Sequence, residues 1–311
     1  MILSTSKLSF GINLSLSLSS PFRSHLITEA RQAEALGFDL VTVHPDHPGA
    51  TAQFGPDACL ETWTALSWIA AQTTTVQVAP CILALPYRHP AMIAKMAETF
   101  DRLSGGRLIL ALGAGGVDQG AQAFGLTRRS AAEKVEALEE AIDIIRGLWS
   151  QSRFSYLGKH FTVHEATLEP KPARRIPIWL GGHGKSMLDL VGRKADGWLP
   201  TLHFLDHVLG REPEHLYEMQ QQVRQAAAAA GRDPDTITHA CNVAVLVSER
   251  AGKLRGQIVG GPEEIIEQLL VFLHRGFTFL NFWTSGDERW QREQLAQEII
   301  PALHSYRKGE R

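Results

Sequence analysis

The chain has 311 residues, 44% of them hydrophobic and 21% charged, with acids and bases mixed to a net charge of -2. That balance argues against a nucleic-acid footprint or a membrane-surface patch and fits an enzyme acting on small molecules. Three widely spaced cysteines, Cys59, Cys81 and Cys241, argue against a disulfide frame or zinc knuckle and for a reducing cytoplasm.

Residues 1–20 are rich in serine and leucine, carry Lys7 as their one base, and lack the apolar core of a signal peptide. No stretch is apolar for long enough to span a bilayer. Residues 8–14 read as a first strand, and 23–36 as an amphipathic helix that stops at Gly37. Residues 40–43 form a second strand, followed by the loop His44-Pro45-Asp46-His47-Pro48 and a helix over 57–72. Strand three covers 76–80. After the apolar, proline-bearing run 81–88, His89-Pro90 opens a helix to Leu103, with proline where its missing N–H is no loss. Strand four covers 108–112 and ends in Gly113-Ala114-Gly115-Gly116; helix four follows over 130–149, then a short hairpin insertion around Gly158.

Residues 176–180 are strand five, closed by Gly181-Gly182-His183-Gly184, and 186–194 are a helix. Strand six is 197–200, the helix over 214–230 ends at Gly231, and strand seven is 237–248. A helix over 262–274, strand eight over 277–283 and a helix over 288–306 complete the chain. Eight strands alternate with helices and no low-complexity linker intervenes, so the pattern predicts one α/β domain over residues 1–311, a (β/α)8 TIM barrel.

In such a barrel the residues just after each strand form the active face. Here they are Asn13; His44, Asp46 and His47; Pro80 and Cys81; residues 113–116; residues 181–184; Trp198 and Thr201; and Trp283. Glycines, imidazoles and indoles dominate, and Asp46 is the one acid, which favours a flat aromatic ligand carrying phosphate. The turn at residues 181–184 is either a plain strand-to-helix connection or an anion cradle, because a helix that starts after glycines presents unpaired N–H groups to an anion. His183 sits among glycines, where its backbone counts for more than its ring. His47 beside Asp46 suits proton transfer, since a carboxylate fixes the imidazole tautomer and raises its basicity. Alternatively His44, Asp46 and His47 could hold a divalent metal, as in a barrel hydrolase, although the other strand ends show glycine in place of further ligands. Trp149 and Trp179 read as core, and Trp198 and Trp283 as either pocket wall or packing.

Several stretches together resemble the bacterial luciferase-like monooxygenase family, in particular its branch that uses the deazaflavin coenzyme F420 in place of FMN. They are Asp46-His47, residues 87–90 (Tyr-Arg-His-Pro), residues 103–115, residues 123–125, residues 178–182, residues 195–198 (Ala-Asp-Gly-Trp) and residues 260–264. The resemblance implies an oxidoreductase acting on a small organic substrate, often as a homodimer, with F420 or FMN in the barrel mouth. It implies cofactor contacts from Asp46, from Pro80 and Cys81, where the family carries a bulge often marked by a non-proline cis peptide, from Ala114 and Gly115, and phosphate contacts from Gly181, Gly182, His183 and Gly184. His47, oriented by Asp46, is the implied proton donor. The sequence departs from the family at Gly116 and at Gly120-Ala121, where many relatives carry an aromatic or acidic residue and Glu-Tyr; the acid expected of deazaflavin sugar-phosphate dehydrogenases is missing. Three activities stay open: deazaflavin hydride transfer, FMN monooxygenation with O2, and cofactor binding without catalysis.

Overall fold

Parallel strands built from the apolar runs stand side by side in the computed structural model, which describes residues 7–16, 25–44, 59–116, 122, 124–202, 214–248 and 256–308. They are β1 (Ser9–Ser15), β2 (Leu40–His44), β3 (Gln77–Pro80), β4 (Leu83–Ala84), β5 (Leu110–Gly113), β8 (Ile178–Leu180), β9 (Gly197–Trp198), β10 (Thr238–Val247), β11 (Gln257–Gly260) and β12 (Phe279–Thr284). Between β5 and β8, β6 (Phe154–Leu157) and β7 (Thr162–Ala166) make a separate antiparallel hairpin. The barrel order is β3-β2-β1-β12-β10-β9-β8-β5-β4, every pairing along it that is registered being parallel. A single bridge between Val78 and Leu108 brings β3 to β5 and closes the ring, through Val78 N–H to Arg107 O at 2.9 Å and Ile109 N–H to Val78 O at 3.0 Å.

All eight predicted barrel strands are present. Two short ones, β4 on β5 and β11 on β10, were not legible, because two and four residues are too few to show a period.

The helices are α1 (Leu26–Ala35), α2 (Thr62–Gln72), α3 (Pro90–Leu103), α4 (Ala131–Ser150), α5 (Lys185–Lys194), α6 (Glu214–Ala229), α7 (Pro262–His274), α8 (Glu288–Gln294) and α9 (Ile300–Lys308). Side chains cap the starts of α2, α3, α4 and α8. The Glu61 carboxylate accepts the N–H groups of Trp63 and Thr64, which starts α2 at Thr62; residues 57 and 58 of the expected span lie outside the described residues. Ser130 and Glu133 form a reciprocal capping box at α4. The expected last helix, 288–306, is divided by a π-helical turn at Leu295–Ile299.

Two apolar layers result. The larger lies between strands and helices and includes Phe10, Ile12, Leu66, Ile142, Leu180, Trp198, Val243 and Phe282. The smaller fills the barrel itself with Leu40, Ala79, Cys81, Ile109, Ala111, Trp179, Leu199, Ala240 and Phe279. Trp179 is core, as expected, and the indole of Trp149 donates to the carbonyl of Ala94 at 3.0 Å. Every second residue of a strand faces this inner layer, so Phe279 and Leu40 at its base are followed upward by Asn281 and Thr42.

At the N-terminal end of the barrel, strand starts are tied down by carboxylates. Asp39 accepts the Phe10 N–H at 2.9 Å, Asp101 accepts that of Leu108 at 3.1 Å, and Asp196 that of Ile178 at 2.9 Å. Arg174 pairs with Asp101 at 2.6 Å, and Arg146 and Arg175 both reach Asp196. Glu34 accepts three successive N–H groups, Thr74, Thr75 and Val76, just before β3. Arg107, buried beside them, donates to Ser104 O, Thr73 Oγ1 and O, Val76 O and Ala70 O at 2.6–3.2 Å.

Candidate active site at the C-terminal mouth

Above the apolar layer, the barrel interior changes from hydrocarbon to uncharged polar groups. Thr42 Oγ1 donates to Asn13 Oδ1 at 3.1 Å and receives Asn281 Nδ2 at 3.0 Å. Asn281 Nδ2 also donates to Asn242 Oδ1 at 2.7 Å, and Asn242 Nδ2 to Thr201 Oγ1 at 3.1 Å. Cys81 Sγ donates to the same Asn242 Oδ1 at 3.3 Å. The result is a hydrogen-bonded belt from β1 across β2, β12 and β10 to the end of β9, with Asn281 fully buried at its centre. A buried amide is costly unless its donors and acceptors are matched, and here they match one another. The belt also needs Gly11: a Cβ there would stand 2.6 Å from Asn281 Oδ1.

Asn13, Cys81 and Thr201 were on the list drawn from strand ends; Thr42, Asn242 and Asn281 were not. They lie inside strands, where a single polar residue between apolar neighbours passes for variation. The available signal was parity: each shares the inward-facing alternation of residues in the inner core, as Asn281 does with Phe279.

Cys81 is buried, and its thiol pKa is pushed up to about 12 by that burial, with its hydrogen bonding to Asn242 and Thr42 working against the shift. It is therefore a neutral thiol. His44 Nδ1 lies 2.7 Å from the Cys81 carbonyl; a carbonyl only accepts, so Nδ1 carries the proton and is not available as a metal ligand. The His44 ring packs against the indole of Trp283 with centroids 5.3 Å apart. The peptide Cys81–Ile82 is cis. One residue on, the Ile82 side chain packs against the inner core and lies against Gly113 and Gly181, whose missing Cβ atoms would come within 2.5 and 2.6 Å of its Cδ1.

That contact changes the reading of two glycines. The sequence suggested that they let a flat ligand lie on bare backbone; the close approach they accommodate in the structure is that of Ile82. Gly182 is glycine for a different reason, a φ of +132° that an L side chain rarely adopts. The ring of His183 also does more than expected, since its Nε2 accepts the N–H of Thr201 at 3.3 Å. Among the described residues, Gly184 N-caps α5 with no side-chain cap, and a Cβ placed on it would meet nothing within 4 Å. Ala114 and Gly115 follow β5 at the same end, half-buried, with Gly115 packed against Pro86.

Trp198 is not a pocket wall. It is fully buried in the outer layer, in a cluster with the rings of Phe277 and His239, and its Nε1–H donates to Gly182 O at 3.0 Å. Trp283 is half-buried against the inner core. Asp46 and His47, the expected catalytic pair, lie outside the described residues, as do Gly120, Ala121 and Ala123. Among the described residues no group of three His, Cys, Asp or Glu side chains could hold a metal ion, and no helix is long and apolar enough to cross a membrane.

Known proteins agree with this architecture. Residues 10–258 match the luciferase-like monooxygenase family. An F420-dependent glucose-6-phosphate dehydrogenase of Microbacterium testaceum is 30% identical over 87% of this chain and 90% of its own. A phthiodiolone/phenolphthiodiolone dimycocerosates ketoreductase of Mycobacterium bovis is 32% identical over 82% of this chain and 65% of its own. In fold, an F420-dependent secondary alcohol dehydrogenase solved with an F420-acetone adduct superposes with a TM-score of 0.83 at 21% identity, covering 96% of this chain and 99% of the other. A long-chain alkane monooxygenase gives 0.79 at 14% identity, covering 97% and 92%. The chain belongs to the luciferase-like monooxygenase family and is an oxidoreductase.

Proposed function

We propose that this protein transfers a hydride between coenzyme F420 and a small organic substrate held at the barrel mouth. A flavin-type or deazaflavin cofactor is common to the family; the choice of the deazaflavin rests on Asp46-His47 followed by proline and on F420-dependent relatives such as the Microbacterium testaceum enzyme. The observation that carries the reading is the open start of α5. Gly184 is exposed, and among the described residues no side chain caps the helix and none fills the space beside it, so the first-turn N–H groups can donate to a phosphate. When bound, the cofactor supplies the two-electron chemistry.

The chain's own residues would do the rest. Gly182, His183 and Gly184 hold the phosphate through their backbone, with Gly181 setting the turn behind them. Pro80, Cys81, Ala114 and Gly115 border the ring system, together with the Ile82 side chain seated on Gly113 and Gly181. The belt of Asn13, Thr42, Asn242, Asn281 and Thr201 keeps the floor of the site rigid and uncharged. His47, oriented by Asp46, donates the proton to the substrate. Gly116, exposed and without a carboxyl group, argues against sugar-phosphate oxidation. Two copies pairing through exposed apolar side chains such as Trp68 on α2 and Met92 on α3 would complete the assembly.

The second reading, an FMN monooxygenase using O2, is favoured by the fold shared with the alkane monooxygenase. Titrating purified protein with each cofactor while following the visible spectrum separates the two, and the expected result is tighter binding of F420. Binding of FMN alone would replace the proposal with the second reading. Steady-state turnover of His47→Ala should fall about 100-fold or more, the scale of one positioned proton donor; full turnover would remove His47 from the mechanism.

A further inference from the structure

We infer that Trp198 is a positioning residue that sets the direction of the Gly182–His183 peptide, and through it the ability of this turn to hold a phosphate. The inference rests on the phosphate reading above. Its first support is the 3.0 Å hydrogen bond from Trp198 Nε1 to Gly182 O. The two cis peptides of the described chain lie elsewhere, at Cys81–Ile82 and Glu169–Pro170, so Gly182–His183 is trans. In a trans peptide the C=O and N–H point in opposite directions. With the carbonyl fixed on an indole in the packed outer layer, the His183 N–H is turned away from that layer.

The backbone conformation of Gly182 does not itself fix this orientation. Glycine at φ +132° has no Cβ to restrict rotation, so the peptide plane is held from outside or not at all. Trp198 can hold it because it cannot swing: it is 0% exposed, with Phe277 and His239 at centroid distances of 6.2 and 6.4 Å. The residue just past β9 locks the register, Leu199 N–H donating to Leu180 O at 2.9 Å. Two residues further on, the Thr201 N–H grips the His183 ring. Residues 198–201 thus fasten both sides of one peptide in the turn before α5, and neither fastening uses a group that would touch a ligand through its own side chain.

The test compares phosphorylated with phosphate-free ligands on the full chain. Dissociation constants are measured by fluorescence for F420 and FMN, and for 8-hydroxy-5-deazariboflavin and riboflavin, which carry the same rings without phosphate. The wild-type chain should prefer the phosphorylated member of each pair it binds. Trp198→Phe keeps an aromatic ring and removes the donor; it should lose about five- to tenfold of that preference, the worth of one hydrogen bond, with phosphate-free binding unchanged. A Trp198→Phe protein that keeps the whole preference overturns the inference while the phosphate reading stands. Equal loss for both members of a pair assigns Trp198 a packing role only and also overturns it. A wild-type chain with no preference overturns the phosphate reading and the inference together. If Trp198→Phe loses its cooperative unfolding transition, 3-benzothienylalanine introduced at position 198 keeps the ring shape without the N–H and is read by the same outcomes.

Discussion

The two ends of the barrel are held together by different chemistry. At the N-terminal end, Glu34, Asp39, Asp101 and Asp196 accept backbone N–H groups where strands begin, and Arg107, Arg146, Arg174 and Arg175 tie that end further. At the C-terminal end, the interior belt is made of amides, hydroxyls and one neutral thiol. A charge with an opposite charge or several hydrogen bonds around it is tolerated even where it is buried, as Asp101 and Arg107 are, whereas an unpaired charge at the floor of a dry pocket is expensive and would polarise any ring placed above it. The separation places ionic fastening at the end opposite the proposed site and leaves the described part of the mouth nearly free of fixed charge.

The largest expected effect is at the ionic end. Arg107→Ala leaves five acceptors without their donor and should cost about 3–4 kcal/mol, roughly a 10 °C fall in the thermal midpoint by calorimetry, with cofactor affinity of the folded fraction unchanged. A loss of affinity without a loss of stability would show the two ends to be coupled. At the mouth, Gly181→Ala should cost about 1–3 kcal/mol through overpacking against Ile82, and Ile82→Ala in the same chain should recover most of it. Additive losses in a double-mutant cycle would return Gly181 to a role in ligand approach alone.

The smallest effects are those of pH. His239 is buried with neither ring nitrogen hydrogen-bonded among the described residues; burial first, then nearby Arg224, brings its pKa down from 6.5 to about 4. The unfolded chain therefore binds the extra proton between those values, and stability falls as pH drops from 6.5 toward 4. Urea midpoints of His239→Phe should lose that slope. For Glu34 burial raises the pKa, but the N–H groups of Thr75, Val76 and Thr74 outweigh it and bring it from 4.5 to about 2. Its contribution is present above pH 4.5 and fades toward pH 2, so Glu34→Gln should flatten that lower range.

Much of this was readable in the sequence because strands buried on both faces are written as apolar runs, and eight such runs alternating with helices leave few topologies. The glycine turns and the Ala-Asp-Gly-Trp stretch stood out for the same reason: backbone constraints restrict residue type. What stayed hidden depends on partners distant in the chain. Asn281 becomes a site residue through Thr42, 239 positions away, and Asn242, 39 away. Likewise nothing near Gly113 or Gly181 announces that a side chain from position 82 will occupy their space. Trp198 was open to two readings, wall or packing, until its partner at Gly182 was known.

The closure of the barrel at Val78 and Leu108 has a consequence for motion. Every other junction of the ring is a ladder of two or more registered pairs; this one is a single bridge, and above it β5 pairs with the two-residue strand β4 instead of with β3. The ring therefore has a clasp, and local breathing should begin there. The amide protons of Val78 and Ile109, which form that clasp, are the ones whose exchange with deuterium reports its opening, and they should exchange ahead of those in the β10–β12 ladder.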